Sequence, residues 1–223
     1  MGYDDLIDAV AERVDGLPPQ RRAAVFWLAG SGLLAGLSDS ESAGWTGWFD
    51  EASDLSVDFI VDGRAGDNVR EVWEQASAST GPDASQLLHS VIVCLSSPLA
   101  IAMEPEKSVG SWIEHALFPV IQKVSLDLFD DIAFPDDDGL EQVLADDRFR
   151  AAGDYCMSVC ARLEGGLGWI ERCWTSCSKG PAYSAASAER VRNPGSRSRS
   201  TRSMSAQVVE SLVVGFSAVQ RLQ

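Results

Sequence analysis

Five cysteines are the most chemically suggestive residues in this chain, and four of them fall late, as Cys156 and Cys160 and then Cys173 and Cys177. Residues four apart share a helical face, so two helices meeting at the glycines between 165 and 168 would set Cys156 opposite Cys177 and Cys160 opposite Cys173. Four thiolates so placed could hold zinc or form two disulfides. The plainer role of cysteine as a small buried hydrophobe is the favoured expectation, with no metal and no cofactor.

Carboxylates offer a second chemistry. Glu51-x-x-Asp54 and Glu71-x-x-Glu74 resemble the magnesium-binding pairs of the all-α nucleotide pyrophosphatases, in which acids from facing helices converge on a phosphate site. The order of the two pairs is reversed here, and a solvated acidic face accounts for them more simply. Asp127, Asp130, Asp131 and Asp136 to Asp138 are similar to the aspartate-rich motif of isoprenoid synthases, but a second metal motif is missing. Capping and solvation of helix ends explain that run. Only His89 and His115 are available for proton transfer, and neither stands in a nucleophile motif. Gly30-Ser31-Gly32 lies inside an apolar stretch and reads as helix packing, not as a phosphate loop.

A third possibility is recognition. Trp45 and Trp48 precede a stripe of Glu51, Asp54 and Asp58, which joins aromatic anchors to negative charge. An interface for a basic protein uses that combination: aromatics bury area, while carboxylates steer and form charge-assisted hydrogen bonds.

The elements that must position these residues are helices, because apolar side chains recur at three and four and hairpin-bounded β-branched runs are absent. Leu6, Ile7, Val10 and Val14 mark a first helix ended by Gly16, and Pro18-Pro19 starts a second that runs to about 37. A third is expected from 40 to 61 and a fourth around Val69 to Ala76. Asp83 is the expected cap of the next, residues 84 to 103, which carry no Asp, Glu, Lys or Arg and therefore mark the helix surrounded by the others. Pro98 should kink or end it. A helix from 108 to 132 should turn Trp112, Leu117, Val120, Ile121, Val124 and Leu128 inward. Asp146-Asp147 should cap a helix through Leu163, with another from 169 to 178. Val209, Leu212, Phe216 and Val219 mark a terminal amphipathic helix. The expectation is a single all-α bundle of about seven or eight helices with a basic Ser/Arg-rich linker.

Charge divides the 223 residues sharply. Residues 1 to 178 hold 11 Lys+Arg and 31 Asp+Glu, a formal charge of −20, whereas 179 to 223 hold 7 and 2, a charge of +5. The acidic body disfavours nucleic acid and anionic membranes, leaving the Arg-rich tail as the weaker site for nucleic acid. Residues 184 to 205 read as a linker too poor in apolar side chains to order. The first residues are acidic where a secretory signal needs positive charge, so a cytoplasmic location is expected, one in which stable disulfides are disfavoured.

The segment order resembles the YjaG-like family of uncharacterised bacterial all-helical proteins over roughly residues 5 to 165. The matching stretches are Gln20-Arg21-Arg22-Ala23-Ala24-Val25-Phe26, the uncharged helix after Asp83, the long helix after Lys107, and Asp146-Asp147-Arg148-Phe149-Arg150 before Leu163-Glu164. The resemblance implies a helical bundle without an assigned catalytic centre. The late cysteine pairs look like the small twin C-x-x-x-C chaperones of the mitochondrial intermembrane space, which are far shorter chains. Together these features lead to an acidic binding protein, of the bacterial immunity type, that occludes a basic toxin surface by carboxylate mimicry. The alternatives are a magnesium-dependent all-α nucleotide hydrolase and a cytosolic adaptor.

Overall fold

The computed structural model describes residues 2–79, 85–129 and 136–167. Among these residues the fold is all-α and contains no strand. Its helices are α1 (Tyr3–Asp15), α2 (Pro19–Leu34), α3 (Asp39–Ser42), α4 (Thr46–Asp62), α5 (Val69–Ser79), α6 (Gln86–Met103), α7 (Glu114–Phe129), α8 (Asp137–Ala145) and α9 (Asp147–Glu164), with a 3-10 turn at Gly110–Ile113. Residues 169 to 178, the 184 to 205 linker, the terminal helix and the charge boundary at 178 lie outside the described residues.

The uncharged α6 occupies the centre, packed by α2, α4, α5, α7 and the 3-10 turn. It is the described helix long and apolar enough to cross a membrane, yet Val91, Cys94, Leu95, Leu99 and Ile101 are almost wholly buried against its neighbours. Its closest neighbour is α2, where every residue from Arg22 to Gly30 is buried. Gly30 makes that approach possible: a Cβ there would stand 2.8 Å from Leu95 Cγ and 3.1 Å from Cys94 Cβ. The glycine pair read as helix packing serves that role through Gly30.

Four local expectations change. The helix expected from 40 to 61 is divided: Ser38 caps α3 by accepting from the Glu41 amide at 3.4 Å, and a turn through Ala43, Gly44 and Trp45 separates α3 from α4. Ser85, not Asp83, caps α6, accepting from the Leu88 amide at 3.2 Å, and Asp83 lies outside the described residues. Of the two outcomes expected at Pro98, a kink or an end, the end does not occur: α6 continues to Met103. Proline removes the amide that would bond the Cys94 carbonyl four residues back, but neighbouring helices pack around this helix and hold its course. Leu128 is 45% exposed, so the inward stripe of α7 stops at Ser125.

One buried charge organises the edge of the bundle. Arg22 is only 6% exposed, and its Nη1 donates to the Lys107 carbonyl at 3.0 Å while Nη2 donates to that of Pro105. Asp15, at the end of α1, lies 3.7 Å from Arg22 Nη1 and accepts from the amides of Val109 and Gly110 at 3.0 and 2.9 Å. Ser108 Oγ also donates to Asp15. The segment between α6 and the 3-10 turn is thereby fastened to α1 and α2. Gly110 lets α1 lie directly on that turn, because a Cβ there would stand 2.9 Å from Ala11 Cα and collide with its carbonyl.

Gly30→Ala should lower the unfolding free energy by about 1–3 kcal/mol through overpacking against Leu95. Gly110→Ala should cost more, because rigid backbone of α1 must move instead of a side chain. Urea unfolding followed by circular dichroism ranks the two, and equal or neutral effects would contradict these close approaches. Arg22→Met should cost about 1–3 kcal/mol, since it leaves the Lys107 and Pro105 carbonyls without their donor and takes a cation from beside Asp15. Arg22→Lys should restore only part of this, because an ammonium cannot span both carbonyls and the carboxylate as the guanidinium fork does. Full rescue by lysine, read in the same unfolding assay, would show that charge alone suffices.

Candidate functional site

The stripe on α4 is real, but its aromatic and acidic parts face different ways. Asp54, Asp58 and Asp62 are exposed, and the inward side of the same helix carries Trp48, Phe49, Ala52, Ser56, Phe59 and Ile60. Trp48 is 8% exposed, and its indole N–H donates to the Val72 carbonyl of α5 at 2.8 Å. It is therefore a core residue joining α4 to α5, not an anchor offered to a partner. Trp45 is half-buried, edge-on to Trp48 at 5.6 Å and stacked with Phe49 at 6.3 Å between ring centroids. Asp54 lies about two and a half helical turns beyond Trp45, on the opposite side of the helix axis. Helical periodicity thus separates the pair that adjacency in sequence seemed to join.

Glu51 is half-buried and accepts from Asn68 Nδ2 at 2.5 Å, which fastens α4 to the segment before α5. Asp62 pairs with Arg64 at 2.5 Å. Asp54 and Asp58 are the exposed carboxylates at the middle of the stripe. On α5, Glu71 and Glu74 are exposed. Among the described residues no group of three or more His, Cys, Asp or Glu side chains is placed to hold a metal ion, so the two carboxylate pairs do not converge as the hydrolase reading requires.

The aspartate run likewise has structural duties where it is described. Asp136 caps α8 by accepting from the Gly139 amide at 3.1 Å. Asp127 accepts from Lys123 at 2.9 Å and from Arg148 at 2.5 Å, tying α7 to α9. Arg148 is held on its other side by Asp146, which also caps α9 through the Arg148 amide at 2.8 Å. Hydrogen bonds from Lys123, then from Arg148, hold the Asp127 carboxyl below the usual range, and that from the Arg148 side chain does the same for Asp146. Asp130 and Asp131 lie outside the described residues.

Cys156 and Cys160 are buried on the inward face of α9, and burial pushes their thiols up to about 12 and about 11. Cys94 on α6 is fully buried and its thiol is raised too. All three are free, neutral thiols, suited to packing and not to nucleophilic attack. Cys173 and Cys177 lie outside the described residues, as does the hairpin that would bring them to Cys156 and Cys160.

Two features had no signal in the sequence. An open, largely apolar cleft of about 850 Å³ runs between α1, α8 and α9, lined by Leu6, Leu144, Phe149 and Met157 together with Glu141 and Asp154. The two histidines, far apart in the chain, meet where α6 packs on α7: their ring centroids are 5.4 Å apart, with planes at 64°. His115 also lies edge-on to Phe118 at 5.6 Å. Its Nδ1 is buried and has no hydrogen-bond partner among the described residues. Burial, and then the neighbouring His89, hold the His115 imidazole below its usual range.

No family model, no curated protein and no solved structure matches this chain.

Acid should loosen the α7 to α9 connection. The folded-state values of Asp127 and Asp146 lie below the unfolded value of about 3.9, so their stabilisation is present above that pH and is lost as pH falls through the folded values. Asp127→Asn and Asp146→Asn should each flatten the loss of urea stability between about pH 5 and pH 2. A slope identical to that of the parent chain would show that neither carboxylate gains from folding.

Proposed function

We propose that this chain is an acidic protein-binding module whose α4 stripe engages a basic protein surface, in the manner of an immunity-type protein covering a basic toxin. The observation that carries the reading is the outward line of Asp54 and Asp58 on a rigid, packed helix, within a body of charge −20. Carboxylates held on a helix buried along its other side lose little conformational freedom when a cation approaches. Their oxygens can occupy the positions that a basic surface offers to phosphate, which is the mimicry in question. Because Trp48 is committed to the core and Trp45 lies round the helix from Asp54, the encounter rests on charge more than on an aromatic anchor. Recognition of this kind acts chiefly on association rate and weakens as salt rises.

Reversing Asp54 and Asp58 to Lys should slow association with a basic toxin domain at least about tenfold at low salt, and should flatten the dependence of the rate on ionic strength. Surface plasmon resonance across a salt series measures both, with circular dichroism to show that the bundle remains folded. Association that is insensitive to salt and to both reversals would exclude the carboxylate stripe as the recognition surface.

A further inference from the structure

We propose that His89 and His115 form a two-imidazole site for a borderline divalent metal ion such as zinc, at the packed junction of α6 and α7. The two rings are the chain's whole complement of imidazole, and the fold places their centroids 5.4 Å apart. With metal–nitrogen bonds of about 2.0–2.1 Å and a ring centre about 1.1 Å behind each nitrogen, two imidazoles sharing one tetrahedral ion have centres about 5 Å apart. The observed spacing matches that requirement.

The second observation is chemical. A buried imidazole nitrogen without a partner is a costly arrangement, because a lone pair or N–H removed from water ordinarily finds a replacement. His115 Nδ1 is such an atom, and a metal ion would take up its lone pair. Both side chains are half-buried, but His115 Nδ1 itself is closed to solvent, so an ion enters only as the α6–α7 junction opens. Carboxylates do not compete for the pair on α6, which carries no Asp, Glu, Lys or Arg. Glu114, beside His115 in the chain, acts electrostatically on Tyr3 of α1.

Among the described residues no third His, Cys, Asp or Glu joins the pair, so water or an added ligand completes the coordination. An open position of that kind distinguishes a binding or exchangeable site from a closed structural one. Imidazole donors select zinc, copper or nickel over magnesium or calcium. The site is thus independent of the carboxylate stripe on α4, and the proposed binding function can fail without affecting it.

The test uses the full chain, purified without a histidine tag and treated with chelator. Zinc is added during isothermal titration calorimetry, and long-range proton–nitrogen NMR spectra of the imidazoles are recorded in parallel. Because the chain has two histidines, the spectrum contains two ring systems, and both should shift at one equivalent of zinc. His89→Gln and His115→Gln should each weaken zinc binding at least about tenfold. Cobalt(II) in place of zinc should give an absorption spectrum without thiolate charge-transfer bands, which separates this site from one built on the cysteines. Ring signals that stay unmoved by zinc in the parent chain overturn the proposal, a result that does not depend on any variant folding. Zinc binding that survives both substitutions, or cobalt spectra showing thiolate ligation, overturns it equally.

Discussion

The contact between α2 and α6 is the constraint on which the other elements depend. Both helices are apolar around most of their circumference, so neither can lie at a surface, and each must be covered on several sides. Gly30 removes the one Cβ that would keep their axes apart, and Leu95 and Cys94 fill the space it leaves. Once the two are joined, α4 and α5 cover one flank of α6, and α7 covers another. The mixed polarity of α1, α4 and α9 follows from their position in the outer layer, where one face is buried and the other meets water.

A core of this kind fixes the layers without fixing the ends of the chain segments that cross between them. Arg22 supplies that second kind of order. Its guanidinium, at the start of the apolar stretch of α2, is buried among backbone carbonyls and the Asp15 carboxylate, so the turn after α6 has one position relative to α1. A buried charge is tolerated when it is paired and hydrogen-bonded. The directionality of these bonds specifies a geometry that apolar packing alone would leave loose. Arg148 does similar work nearer the surface, between Asp127 on α7 and Asp146 at the start of α9.

The same layering governs chemistry. Residues adjacent in sequence are separated by helical rotation, as when Trp48 turns to the core and Asp54 to solvent. Residues distant in sequence are joined by packing, as with His89 and His115. Among the described residues, the carboxylates that looked like metal ligands do not gather into a group of three, while the imidazoles, which no motif marked, stand together.

The pattern of apolar spacing was enough to establish an all-α fold, the central position of the uncharged α6, the Pro19 start of α2, the Asp146 cap of α9 and the stop at Gly165. These are properties of local periodicity and capping, written in a few successive residues. The continuation of α6 through Pro98 was not legible, because it depends on helices from elsewhere in the chain surrounding that turn. Nor was the burial of Arg22, whose type alone argues for solvent, although its place at the head of a fully buried run of α2 was a clue. The outward acidic stripe could be read from the spacing of Glu51, Asp54 and Asp58, but the commitment of Trp48 to the core needed the packing of α4 against α5. The histidine pair was beyond the reach of sequence altogether, since the distance between two side chains on different helices is set by how those helices pack, and periodicity within one helix carries no record of its neighbour.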